Sequence, residues 1–296
     1  MADVLSGLSE EMAGLVAGAD SYVVRVDGRR RVSASGILWA EDIVVTAHHI
    51  LEVDETVDVV DSQGGRVQAE IVGRDPSTDL AVLRAPGSLG KAPTWVDPEG
   101  VRVGHMVLAI GRPRSSVQAT LGIVSALGGA WRTPMGGQVD HYLQTDVVMY
   151  PGFSGGPLVD AAGGVIGLNT SALLRGVSVS LPKPTVKRIA EALLEHGRIQ
   201  RGFLGVSAQP VRLPAGQAEQ AGQETGLLLA SIEPDGPAEA GGLLLGDVLV
   251  GMNGNPLRSL DDLLAGLGDQ AGKPAVFRLL RGGEIKEQSV TLGERP

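Results

Sequence analysis

The segment Pro151-Gly152-Phe153-Ser154-Gly155-Gly156-Pro157-Leu158 sets one hydroxyl among glycines. Glycine costs backbone entropy and fills no core, so packing does not account for the pattern. What glycines allow is an unusual turn that exposes the hydroxyl and aims the N–H groups of Gly152 and Ser154 at one spot. Such a pair is an oxyanion hole, worth about 2.7–4 kcal/mol per donor in comparable sites. The plainer alternative is a glycine-rich hairpin turn with a bystander serine.

A serine hydroxyl is a weak nucleophile at neutral pH and needs a base within hydrogen-bond reach. Of the five histidines, His49 ends the run Ile43-Val44-Val45-Thr46-Ala47-His48-His49, where an apolar strand delivers an imidazole at its tip. Asp79 stands directly before the apolar run Leu80-Ala81-Val82-Leu83. A carboxylate at a core edge must be paired or hydrogen-bonded. An imidazole N–H is such a partner, and the bond would fix the histidine tautomer. Asp75, in contrast, reads as a turn residue capping its own loop. The order His49, Asp79, Ser154 is that of the chymotrypsin arrangement. The stretch Gly152 to Gly156 also satisfies the G-x-S-x-G elbow of esterases, but that fold needs its acid and histidine after the serine. Only His196 lies downstream, on a helix, and no strand–helix alternation surrounds Ser154.

The elements that must position these groups are strands. Tyr22-Val23-Val24-Arg25-Val26, Thr56 to Val60 and Val67 to Ile71 alternate or run apolar, and similar runs recur to about Ser180 between Gly, Pro, Asp and Asn turns. So many strands without intervening helices predict a barrel or sandwich. Leu5, Leu8, Met12, Leu15 and Val16 predict a short amphipathic helix over 4–17, docked on the strand-rich domain. Val186, Ile189, Ala190, Leu193 and Leu194 predict a second helix, opened near Pro184-Thr185 and closed by Gly197. Beyond Arg201 the pattern is mixed, with strands at 226–232 and 275–280 and a helix capped by Ser259.

The chain has 296 residues, enough for about two domains of ~150 residues. Its net charge of −9, from 34 acidic and 25 basic residues, disfavours a nucleic-acid partner. The basic run Arg29-Arg30-Arg31 reads as a solvated turn. There are no cysteines, which excludes disulfides, thiolate catalysis and cysteine-ligated zinc. The first 15 residues lack a charged region followed by an apolar run, so no secretory signal is read, and no stretch reaches the ~18 apolar residues of a membrane span. The expectation is a soluble, cytoplasmic protein.

Three segments resemble the HtrA/Deg family of chymotrypsin-like serine proteases: Thr46-Ala47-His48-His49, Thr78 to Leu83, and Gln144-Thr145-Asp146 running on to Leu158. Lesser matches include Ala34-Ser35-Gly36-Ile37, Val107 to Gly111, Gly122 to Ala126 and Val165 to Thr170. The resemblance implies a mainly β fold: a double six-stranded β-barrel over 21–182, preceded by the helix of 1–20 and joined by a connector helix at 183–200 to a small α+β PDZ domain at 201–296. It selects His49 over His48 as the base. Phe153 departs from the asparagine usual in the family. By the same resemblance the specificity pocket falls at Val148, Met149 and Leu168, apolar residues that predict cleavage after small or medium aliphatic side chains. Thr170 matches a hydroxyl that supports the aspartate.

Gly242 to Gly254 looks like the signature turn and strand of bacterial PDZ domains, and Arg201 to Val206 resembles their carboxylate-binding loop. Phe203, Leu204, Gly205 and Val206 would then receive a peptide C-terminus, with Leu263, Leu264 and Leu267 supplying a side-chain pocket. The function implied is a serine endopeptidase of protein quality control, working on unfolded or misfolded polypeptides and needing no metal or cofactor. Trimers are implied as well. The alternative of a different class is a chaperone-like peptide-binding protein whose protease site is idle or closed.

Overall fold

The computed structural model describes residues 2–30, 32–268 and 270–294, so Arg31 of the basic run lies outside the described residues; Arg29 and Arg30 are exposed. The chain divides into two units, Met1–Ile199 and Gln200–Pro296. The first contains two closed six-stranded barrels. Strands β1 (Val23–Val26), β2 (Ala34–Leu38), β3 (Ile43–Ala47), β4 (Thr56–Val60), β5 (Arg66–Asp75) and β6 (Leu80–Arg84) form one in the order β1-β2-β3-β6-β5-β4, closed by β1 pairing with β4. The other is built from β7 (Met106–Gly111), β8 (Gln118–Gly128), β11 (Tyr142–Thr145), β12 (Pro157–Asp160), β13 (Val165–Thr170) and β14 (Ser178–Pro182), with β11 pairing both β14 and β8. A small hairpin, β9 (Trp131–Arg132) and β10 (Gln138–Val139), interrupts the second set.

β3 and β6 read as largely apolar runs because both of their faces are buried, apart from the exposed Arg84 at the end of β6. Val44, Ala47, Ala81 and Leu83 belong to the core of the first barrel. Ile43, Val45, Leu80 and Val82 join a second layer with Leu168, Val179 and Leu181 of the other barrel and Val186, Ile189, Ala190 and Leu193. Those last four residues are the apolar stripe of helix α2 (Lys183–His196), which is stopped by Gly197 at φ +71. α2 therefore packs into the core of the first unit. Helix α1 (Ala2–Ala19) is longer than its stripe suggests. Met12, Leu15, Val16 and Ala19 pack against the barrels, but Leu5 and Leu8 stay exposed, so the expected docking holds only for the second half of the helix.

The second unit is a sheet of β16 (Val206–Arg212), β17 (Thr225–Ile232), β18 (Val248–Met252), β20 (Pro274–Arg281) and β21 (Glu284–Thr291) in that order. Short strands β15 (Gly202–Phe203) and β22 (Gly293–Glu294) pair with each other, and β19 (Asn255–Pro256) pairs with β18. Helices α3 (Ala215–Ala221), α4 (Pro237–Ala240) and α5 (Leu260–Leu267) complete it. α5 starts at a capping box in which the Ser259 hydroxyl accepts the Asp262 N–H and Asp262 reaches back to the Ser259 N–H. No helix among the described residues is long and apolar enough to cross a membrane.

Candidate active site

β3 ends at Ala47 and the chain turns through a short 3-10 segment, His48–Ile50. Ala47 pairs with Leu80, so the residues just after β3 meet the residue just before β6. Asp79 is that residue. Its carboxylate accepts the His49 N–H at Oδ1 (2.8 Å), and Oδ2 lies 2.7 Å from His49 Nδ1. A carboxylate only accepts, so Nδ1 carries the ring proton and Nε2 is left as the basic nitrogen. Asp79 is buried and sits at φ +59, a left-handed conformation uncommon outside glycine. Its own carbonyl accepts the His48 N–H at 3.0 Å. The Thr170 hydroxyl, at the end of β13, also donates to Asp79 Oδ2. Asp75 caps its own turn, taking the Ser77 N–H and the Ser77 and Thr78 hydroxyls.

Ser154 is only 8% exposed. Its hydroxyl meets that of Ser171 at 3.1 Å, and among the described residues no hydrogen bond joins it to His49. Backbone contacts bring it to the same corner: the Ser154 carbonyl accepts the N–H of Ser35 on β2, the neighbour of β3. The loop around it is closed by bonds from Phe153 N–H to the Tyr150 carbonyl (3.0 Å), Gly155 N–H to the Asn169 carbonyl (2.8 Å) and Gly156 N–H to the Phe153 carbonyl (3.0 Å). Two glycines are required sterically. Gly152 has φ +94, and Gly155 has φ +85 with a Cβ position that would run into the Ser35 carbonyl and the Thr46 hydroxyl. The N–H groups of Gly152 and Ser154 have no acceptor among the described residues, which leaves both donors available to a ligand oxygen. The Phe153 ring is fully buried in the core of the second barrel, edge-on to Tyr150 at 5.9 Å, and so anchors the loop from inside.

His48 stands apart. Its Nδ1 is buried without a partner among the described residues, and burial lowers its pKa from the ordinary 6.5, with Asp79 opposing.

Val148, Met149 and Leu168, expected to line a specificity pocket, differ in their burial. Val148 is 54% exposed, whereas Met149 is half-buried against the second barrel's core. Leu168 is fully buried in the layer beneath α2 and has no surface to offer a substrate. Thr170 is buried and engaged with Asp79. The pocket expectation fails at Leu168 because both faces of β13 are covered, so alternation along it does not separate pocket from core.

In the second unit, Leu204, Leu263 and Leu267 are core residues. Phe203 and Val206 are half-buried and Leu264 is exposed. Gly205 has φ +73, and the N–H groups of Leu204 and Gly205 have no acceptor among the described residues. β16 begins at Val206 and lies at the edge of its sheet, with one side unpaired.

Sequence reasoning missed Ser35, Arg112 and Ser171. Ser35 Oγ donates to the Gly152 carbonyl at 2.6 Å and accepts the Arg112 N–H at 2.7 Å. The one signal for Ser171 is its place directly after Thr170.

Residues 34–168 match the model of the trypsin-like peptidase domain and residues 202–292 that of the PDZ domain. "Probable periplasmic serine endoprotease DegP-like" of Brucella suis biovar 1 (strain 1330) is 34% identical over 272 residues, which cover 88% of this chain and 52% of that protein. The relative of the same name from Pseudomonas putida (strain W619) is 34% identical over 282 residues, covering 92% and 58%. The chain thus spans about half the length of the curated relatives it matches. Among solved structures, the HtrA-type protease AlgW with tripeptide aligns at 31% identity and TM-score 0.76, covering 96% of this chain and 97% of that one. The serine endoprotease from Yersinia pestis aligns at 27% identity and TM-score 0.77, covering 95% and 97%. With two closed barrels, a PDZ domain and relatives of this similarity, the chain belongs to the HtrA/Deg family of chymotrypsin-like serine proteases.

Proposed function

We propose that this chain is a serine endopeptidase that cleaves unfolded or misfolded polypeptides through an acyl-enzyme. The observation that carries the reading is the Asp79 carboxylate bonded to both the backbone and the Nδ1 of His49, which leaves Nε2 as a base. In the reaction, Ser154 Oγ leaves Ser171 and gives its proton to His49 Nε2 as it attacks the peptide carbonyl. Asp79 stabilises the imidazolium that results. The Gly152 and Ser154 N–H groups receive the oxyanion, and the tetrahedral species collapses as His49 protonates the departing amine. Water, deprotonated by the same imidazole, then releases the acyl group and regenerates Ser154.

The second unit is proposed to bind peptide C-termini. The free N–H groups of Leu204 and Gly205 support capture of a carboxylate, and the unpaired edge of β16 supports strand addition. The Phe203 ring, Val206 and the exposed Leu264 are the apolar contacts open to such a peptide. The absence of cysteine suits a cytoplasmic location, whereas the curated relatives are named periplasmic; cell fractionation distinguishes the two. Trimer formation is read by light scattering.

The test is digestion of casein by the wild type beside Ser154→Ala. Cleavage by the first and none by the second supports the endopeptidase. Equal residual activity in both ends that reading and leaves the idle-site, peptide-binding alternative.

A further inference from the structure

A buried serine outside the triad controls the carbonyls of the oxyanion loop. Ser35 is fully buried on β2. Its hydroxyl has one proton, and the Arg112 N–H that reaches its oxygen at 2.7 Å can only donate. The serine proton is thereby committed to the Gly152 carbonyl, 2.6 Å away. The N–H of the same serine donates to the Ser154 carbonyl at 3.1 Å. One residue thus draws in the carbonyls of Gly152 and Ser154. Because the peptide unit is planar, each held carbonyl fixes the N–H on its other side, those of Phe153 and Gly155, onto Tyr150 and Asn169. Among the described residues, the N–H groups of Gly152 and Ser154 are left unbonded.

Arg112 is itself held with unusual completeness. Its side chain is 1% exposed. It donates to the carbonyls of Val23 (2.6 Å), Ser115 (3.0 Å) and Asp20 (2.8 Å), and to the Asp20 carboxylate (2.5 Å). A buried guanidinium must be satisfied in this way, and removal of its one counter-charge is costly. Asp20 directly follows α1. A continuous series of bonds therefore runs from the end of α1 through Arg112 and Ser35 to Gly152.

We propose that Ser35 is a positioning residue for the oxyanion loop and that the Asp20–Arg112 ion pair holds it in place, so that the segment joining α1 to the first barrel governs the transition-state donors. The proposal rests on the endopeptidase reading above and deepens it. Because oxyanion donors act most strongly on the charge of the tetrahedral state, the effect of Ser35 falls there more than on ground-state binding of substrate.

The experiment uses the full chain as wild type, Ser35→Ala, Asp20→Ala, Asp20→Glu and Ser154→Ala, with kcat and KM on one peptide substrate and affinity for a matching peptide boronate, whose adduct with Ser154 is tetrahedral. Ser35→Ala is expected to lose about ten- to a hundredfold in kcat and in boronate affinity, with KM little changed. Asp20→Ala shifts both in the same direction by a smaller factor, and Asp20→Glu restores them. Asp20→Glu keeps the counter-charge of the buried Arg112, and the Asp20 side chain is 44% exposed, so water can reach the site in Asp20→Ala. Thermal melts establish folding of each variant, and the Asp20 pair decides the matter should Ser35→Ala fail to fold. Full kcat in folded Ser35→Ala, or in Asp20→Ala, overturns the proposal. So does a parallel loss of ground-state peptide binding, measured on the Ser154→Ala background. A wild type without activity or boronate binding instead overturns the endopeptidase reading, and this proposal with it.

Discussion

The hydroxyl of Ser154 lies 3.1 Å from that of Ser171, the residue after the Thr170 whose hydroxyl holds Asp79. Two consecutive residues at the end of β13 therefore grip the nucleophile and the orienting carboxylate. A net hydrogen bond is worth about 0.5–1.5 kcal/mol, enough to bias the resting nucleophile away from its base by up to about tenfold. Ser171→Ala should accordingly raise the rate of fluorophosphonate labelling by about two- to tenfold. A labelling time course at fixed reagent concentration measures it, and a rate at or below wild type counts against a restraining role. Ser171 is exposed, so the substitution leaves the core untouched.

Asp79 does two things for His49, and Asn at this position keeps only one. An amide oxygen can still accept the His49 N–H, so the 3-10 turn survives. The negative charge that fixes the tautomer and stabilises the imidazolium is gone. Asp79→Asn is expected to lower kcat by about 10⁴-fold with a native circular-dichroism spectrum. A loss below about tenfold would remove Asp79 from the mechanism.

Gly155 and Gly176 both occupy the left-handed region, at φ +85 and +73, yet they differ in surroundings. An added methyl at Gly155 meets the Ser35 carbonyl and the Thr46 hydroxyl, whereas at Gly176 it meets nothing within 4 Å. Gly176→Ala should cost only the conformational penalty of about 1–2 kcal/mol. Gly155→Ala should cost more than that and also abolish labelling of Ser154. Urea denaturation of the two variants tests the contrast, and equal losses would contradict the close approach described for Gly155.

His48 gives the protein a pH-dependent stability term independent of catalysis. Burial lowers its pKa below the ordinary 6.5, so the folded state releases this proton more readily than the unfolded chain. Between the lowered value and 6.5 the unfolded state binds more protons. Stability therefore declines as pH falls below 6.5 and levels off beneath the folded-state value. His48→Asn should show a shallower fall in Tm than wild type between about pH 7 and about pH 5. Calorimetric scans across that range check this, and an unchanged slope would show that His48 contributes nothing to it.

The residues that carry reactive groups are legible in the sequence because their types are costly anywhere else. An imidazole at a strand tip, a carboxylate entering a core edge and a serine among glycines each break the rules of packing locally. Their surroundings are not legible. Ser35 reads as an ordinary strand residue, and its partner Gly152 lies 117 positions away, a contact that only the packing of one barrel on the other creates. Leu168 and Val148 illustrate the opposite failure. β13 is buried on both faces, so its sequence carries no phase to tell pocket from core, while Val148 sits on an exposed loop. The stripe of α1 is plainly helical, but helical periodicity does not state how much of a helix finds a surface. Leu5 and Leu8 do not. In the second unit the strands, the Ser259 cap and the glycine at position 205 follow from local chemistry, whereas the inward direction of Leu263 and Leu267 depends on how α5 sits on its sheet.

The central claim is that Ser154 is activated by His49 and Asp79 across two barrels. Fluorophosphonate labelling of the intact chain, followed by peptide mapping, tests it most directly. The account predicts a single modified peptide containing Ser154, with labelling lost in His49→Ala and in Ser154→Ala. Modification at another residue, or equal labelling of wild type and His49→Ala, would contradict it.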